Sequence, residues 1–158
     1  MWIAALALIG AFVATYLTLY KLGVLGTITC SVGSCETVQA SRWATFLGLP
    51  VAAWGLGYYV VVLGIALFGL QEPLLESRLI SGILVGLTGW GFIFSGYLTA
   101  LEAFAINAWC QWCVVSAVIA TIIFIVAVLD ALELRRLSML EPSGDGGASS
   151  GRAGARGG

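Results

Sequence analysis

The chain has 158 residues, of which 60% are hydrophobic and 9% charged, with no histidine and a formal net charge of −1. At a mean hydropathy of +1.03 it has too few polar side chains to cover a soluble globule, so it reads as an integral membrane protein with lipid as its solvent. The near-neutral balance excludes a nucleic-acid surface and a polybasic membrane patch.

Four uncharged apolar runs follow one another, at 2–20, 51–70, 79–101 and 108–129. Each is about 20 residues, enough to cross about 30 Å of hydrocarbon as a helix. None alternates with period two, so helices are expected and a barrel is not. The first run lacks a basic leader and an A-x-A site, so it is expected to be a retained span. Four spans in series put the loop 21–50 and the connection 102–109 on one side, with both termini and "QEPLLESR" (71–78) on the other. Arg78, Arg135 and Arg136 near the spans on the terminus side outnumber Lys21 and Arg42, which favours cytoplasmic termini.

Within the loop 21–50, Ala40, Trp43, Ala44 and Leu47 follow i, i+3, i+4, i+7 spacing, which predicts an amphipathic surface helix. It should start near Cys35, carry Glu36 in its first turn and stop at Gly48, with Pro50 opening the second span. The expected fold is therefore an all-α four-transmembrane-helix bundle with a short amphipathic helix in its first external loop. Small residues four apart, Gly10 with Ala14, Ala53 with Gly57, Gly82 with Gly86 and Ser116 with Ala120, mark places where helices can approach closely. The tail "SGDGGASSGRAGARGG" cannot bury anything, so a redox domain is expected over 1–137 and a disordered tail over 138–158.

All four cysteines lie on one face: Cys30 and Cys35 in "CSVGSC", Cys110 and Cys113 in "AWCQWCVV". Cys110 and Cys113, at i and i+3, can bond across one helical turn, and the positive end of a helix favours a thiolate there. Cys110 is expected to be the more reactive toward another disulfide, and Cys113 to face the membrane interior. Small residues around Gly33 suit Cys30 and Cys35 to a mobile pair, with Arg42 a neighbouring cation that favours the thiolate or is simply solvated at the interface. Thiol exchange through mixed disulfides would move two electrons from the exposed pair to the embedded one. Two other readings stand beside this: two short structural disulfides, which restrain the unfolded chain little, and a Cys₄ zinc site, for which the four-residue gap is wide. No metal is expected. Paired thiols also favour an extracytoplasmic location.

Electrons leaving Cys113 need an acceptor in lipid, and without histidine the usual haem ligand is missing. A membrane quinone, menaquinone or ubiquinone, takes two electrons and two protons there. The third run offers Trp90, Phe92, Phe94 and Tyr97 as walls, and Gly91, Ser95, Leu98 and Glu102 on one face, with Glu102 either delivering protons or merely ending the span at the interface. Trp109 and Trp112 read first as an interfacial aromatic belt and only then as ring contacts.

The segments "CSVGSCETVQASRWATFLGLPVAAWGLGYY" and "YLTALEAFAINAWCQWCVVSA" together resemble the vitamin K epoxide reductase family in its bacterial form. The likeness lies in the ordered set of a loop cysteine pair, a Ser-Arg-Trp step, Gly-x-Pro before the second span and C-x-x-C opening the fourth. It implies a four-helix bundle around a quinone, in which Cys30 exchanges with a partner, Cys35 passes the disulfide to or from Cys110, and Cys113 meets the ring beside Ser41. It also implies a bacterial cell-membrane location and a thioredoxin-fold extracytoplasmic partner, here expected to be a separate chain because the tail is short; a monomer is expected. Where animal members carry Asn and Tyr, this chain has Val51 and Ala117. Those departures remove polar contacts to an oxidised ring, leaving quinone reduction rather than epoxide reduction as the expectation. A disulfide-bond-formation-B-type enzyme places its C-x-x-C in the first external loop, the reverse of the order here.

Overall fold

In hydrocarbon a chain satisfies its own N–H and C=O groups most simply by coiling, and each apolar run does so. A computed structural model describes residues 2–31, 33–69 and 78–140. It contains α1 (Trp2–Lys21), α3 (Val51–Phe68), α4 (Arg78–Leu101) and α5 (Gln111–Leu140). The four spans Trp2–Lys21, Val51–Phe68, Leu79–Ile106 and Gln111–Leu140 are long and apolar enough to cross a membrane. Large apolar side chains point outward along them, among them Phe12, Val60, Ile93 and Ile125, as helices solvated by lipid require. At 30 residues, α5 is about 45 Å long and outruns the bilayer. Its last turns carry the exposed Asp130, Glu133, Arg135 and Arg136. The helix also runs three residues past the boundary expected at 137; the remainder of the tail, the 71–77 connection and Leu70 lie outside the described residues.

The loop departs from expectation. Its helix, α2, covers only Cys35–Ala40 rather than reaching Gly48. Ser41 takes an extended backbone (φ −66°, ψ 154°), and both its N–H and its Oγ–H donate to the Val38 carbonyl, at 3.2 and 2.7 Å. A serine offering its hydroxyl to the preceding turn competes with helix propagation and closes the end instead. One 3₁₀ turn (Arg42–Ala44) follows, then strands β1 (Thr45–Phe46) and β2 (Leu49–Pro50), paired antiparallel. Leu47 and Gly48 between them both have positive φ, 53° and 80°, the arrangement of a tight two-residue hairpin. The apolar stripe from Ala40 to Leu47 is therefore not one helix face. The buried face of α2 is Cys35, Val38 and Gln39, and the Lys21 ammonium donates to the Gln39 carbonyl. Trp54 of α3 holds the hairpin, its Nε1 donating to the Phe46 carbonyl at 3.2 Å.

Tyr59 centres the bundle. It is 1% exposed and packs among Ile3, Ala7, Ala14, Val62 and Ile123. Its ring rests on Gly10, where a Cβ would collide with it, and its hydroxyl donates to the Ser116 carbonyl at 2.8 Å, with the Ser116 Oγ at 2.9 Å. Of the small-residue pairs, Gly10 with Ala14 and Ser116 with Ala120 thus serve helix contact, whereas Gly82 and Gly86 point outward with open space around them. Helix α1 packs on α3 and α5, and α4 packs on α5, but α3 and α4 scarcely meet. That seam becomes a cavity.

Valine in place of Gly10 should push Tyr59 off its seat and cost roughly 1–3 kcal/mol, while Gly82→Val should stay within about 0.5 kcal/mol of the parent; thermal unfolding in detergent compares the two.

Candidate functional site

The loop pair is closed as a disulfide between Cys30 and Cys35, with Cα atoms 6.3 Å apart. Backbone and indole groups fix it to the beginning of α5. The Ser34 N–H donates to the Trp109 carbonyl at 2.9 Å, Gly33 bridges antiparallel to Cys110, the Ser31 N–H donates to the Gln111 Oε1 at 3.1 Å, and the Trp112 Nε1 donates to the Thr29 carbonyl at 2.9 Å. Gly33 has φ +91°, and a Cβ there would strike the Trp109 carbonyl, so this approach requires glycine. Trp112, expected as part of an interfacial belt, instead clamps the loop, its ring meeting Tyr16 edge-on at 5.5 Å. Arg42 lies over the Trp43 ring at 5.0 Å.

As a result both cysteine pairs enter one buried cluster. Cys35 (1% exposed) and Cys110 (0%) pack with Val13, Leu17, Ile28 and Val38, and Cys30 and Cys113 lie against its edge. Cys110 and Cys113 are free thiols. One helical turn brings their sulfurs to 2.6 Å, with the Cys113 thiol donating to Cys110, and the Cys113 N–H donates to the same sulfur at 3.3 Å. Cys110 sits just before the fourth span. The hydrogen bond from the Cys113 thiol holds its thiol below the usual cysteine range, against the opposing effect of burial.

Glu102 completes the group. After α4 the chain widens into a π-type turn, Glu102–Ile106, ended by Asn107 in the left-handed region (φ 53°). Such a turn inserts a residue and re-aims side chains. The Glu102 carboxylate accepts the Cys110 N–H at 3.1 Å, and its oxygen and both sulfurs lie within 4.8 Å of one another.

A cavity of about 810 Å³ fills the α3–α4 seam. Of the residues that the sequence offers around the ring, Ser41, Gly91, Phe94, Ser95, Leu98 and Glu102 lie on its wall, and so does Cys113. Cys110 does not. Trp90 joins Phe94 there, whereas Phe92 stacks on Phe124 at 5.3 Å and Tyr97 is exposed. Val51 and Ala117 also face the cavity. Sequence reading missed the opposite wall, Trp54 and Tyr58 of α3, although their i, i+4 spacing marks a common face. The Tyr58 ring rests on Gly91, where a Cβ would collide, and its buried hydroxyl has no partner among the described residues.

Residues 1–128, which take in both cysteine pairs and the cavity, match the family model described as the vitamin K epoxide reductase family.

Because the Cys113 thiol is what favours the Cys110 thiolate, Cys113→Ala should raise the titration midpoint of Cys110. Thiolate ultraviolet absorbance, followed against pH in a background with Cys30 and Cys35 both replaced by serine, checks this; an unchanged or lower midpoint contradicts it.

Proposed function

The chain belongs to the vitamin K epoxide reductase family and is a membrane oxidoreductase; on that premise we propose that it oxidises an extracytoplasmic thioredoxin-fold partner and sends the electrons through Cys30/Cys35 and Cys110/Cys113 to a quinone, menaquinone or ubiquinone, thereby supporting disulfide formation. The observation that carries this reading is the layering of the sulfurs. The disulfide lies in the loop between α1 and α3, Cys35 and Cys110 share one buried cluster, and only the last sulfur, Cys113, reaches the cavity. The cysteine face is then extracytoplasmic and the termini cytoplasmic.

A partner thiolate attacks Cys30, Cys35 leaves, and the partner's second thiol resolves the mixed disulfide. Cys35 then attacks Cys110 of the closed inner pair, and Cys30 reclaims Cys35, leaving the outer pair oxidised and the inner pair reduced. That is the sulfur arrangement of this chain, Cys30–Cys35 bonded and Cys110 and Cys113 free. With a lowered pKa, Cys110 is the thiolate that closes onto Cys113 as the electrons depart.

The cavity suits a quinone. Its walls are apolar and aromatic with a few hydroxyls and one carboxyl, as pockets for flat lipophilic rings are, and the orphan Tyr58 hydroxyl beside it is a donor without an acceptor. A quinone, when bound, supplies an acceptor for two electrons and two protons. Trp90, Phe94 and Trp54 would flank the ring, and Ser41 and Ser95 offer hydroxyls to its oxygens. Val51 and Ala117 offer none, which favours quinone over epoxide as substrate.

With Cys110 replaced by serine, quinol formation from reduced partner should fall at least ~100-fold, and acid quenching with alkylation should find Cys30 and Cys35 accumulating as dithiols. Quinol formation at the parent rate without Cys110 would overturn the proposed order of transfer.

A further inference from the structure

Oxidising two thiols releases two protons along with two electrons, and this chain has no histidine to carry either. Cys113 lies on the cavity wall and can release its proton there directly. Cys110 is 0% exposed and off the wall, so its proton has no such path. Glu102 stands beside both. It is 5% exposed, its carboxyl is tethered to the Cys110 N–H at 3.1 Å, its oxygen is within 4.8 Å of both sulfurs, and it is on the cavity wall. Among the described residues lining that cavity, no other Asp or Glu and no Lys or Arg occurs. A thiolate at Cys110 and a carboxylate at Glu102, so close and so far from water, repel each other without a cation between them; the site sustains one negative charge, not two.

We propose that Glu102 shares a single negative charge with Cys110 and carries the second proton of the reaction. In the reduced site Cys110, whose sulfur accepts both the Cys113 S–H and the Cys113 N–H where Glu102 accepts one N–H, is the thiolate; Cys113 keeps one proton as a thiol, and Glu102 keeps the other as a carboxylic acid. On oxidation the Cys110–Cys113 bond forms, the Cys113 S–H and Glu102 O–H bonds break, and two electrons and both protons pass to the acceptor in the cavity. Glu102 remains as the carboxylate. The charge has moved from sulfur to oxygen and its total is unchanged, so no charge is created or destroyed in the dry interior. When the outer dithiol reduces the inner pair again, one of its protons goes to Cys113 and the other to Glu102 as the Cys30–Cys35 bond closes. The identity of the acceptor as a quinone rests on the function proposed above; the exchange of charge between Cys110 and Glu102 does not.

Redox-induced infrared difference spectra test the exchange in quinone-free full-length protein equilibrated with glutathione buffers. The reduced-minus-oxidised spectrum should contain a protonated-carboxyl C=O band that shifts in D₂O, disappears in Glu102→Gln and returns, displaced, in Glu102→Asp. In quinone assays Glu102→Gln should lower turnover roughly 100-fold, and Glu102→Asp should restore a substantial part of it, which a loss of folding would not allow. An infrared band that survives in Glu102→Gln, no carboxyl band in the parent protein, or Glu102→Gln turnover within threefold of the parent overturns the inference. A parent protein that has the Glu102-dependent band yet reduces no quinone supports the charge exchange and removes the quinone reading instead.

Discussion

The arrangement depends on a short stretch of backbone pairing: Ser34 donating to the Trp109 carbonyl and Gly33 set against Cys110. A loop of about thirty residues has much conformational entropy to lose, and loops normally carry mobile chemistry on a rigid scaffold. Here the loop is pinned at the point where the inner pair begins. Because Gly33 adds no Cβ, the two strands of backbone approach closely enough for Cys35 and Cys110 to be buried together. Without that approach the two couples would belong to separate parts of the molecule, and exchange between them would need a large motion.

The second constraint is the uneven packing of the bundle. Tyr59 draws α1, α3 and α5 together through Gly10 and Ser116, and α4 is held by α5, so α3 and α4 meet sparingly, as where the Tyr58 ring rests on Gly91. The space they leave is lined by aromatic rings from both helices, by Phe46 and Leu49 of the hairpin, and by Cys113. A bundle packed evenly on all sides would have had no room beside the last sulfur.

Much of this was legible in the sequence because the dominant signals are strong ones. A run of twenty apolar residues has essentially one way to satisfy its backbone in lipid, so the spans at Trp2, Val51, Leu79 and Gln111 followed, although the fourth helix starts three residues later and ends eleven residues later than the apolar run 108–129. The inner cysteines and one cavity face could be gathered because C-x-x-C has a fixed helical geometry and because Gly91, Ser95, Leu98 and Glu102 repeat every three or four positions, whereas Ser41 followed only from the family resemblance. Legibility failed where a side chain competes with the backbone. Ser41 ends α2 through its hydroxyl, and Leu47 with Gly48 turns a hairpin, both invisible to a count of apolar spacing. Side-chain partners are similarly hidden from the sequence: a tryptophan at a span's mouth carries no sign that its N–H meets the Thr29 carbonyl, and in so apolar a second span little sets Trp54 and Tyr58 apart from residues that face lipid.

Gly10, Tyr59 and Ser116 lie on three different helices yet form one mechanical unit. A bulkier residue at position 10 fits only if the ring at 59 shrinks, and a shorter ring no longer reaches the carbonyl at 116, one turn below Cys113. The three positions are therefore mechanically coupled: a change at 10 or 59 is felt at the carbonyl of 116 and so at the turn that carries Cys113.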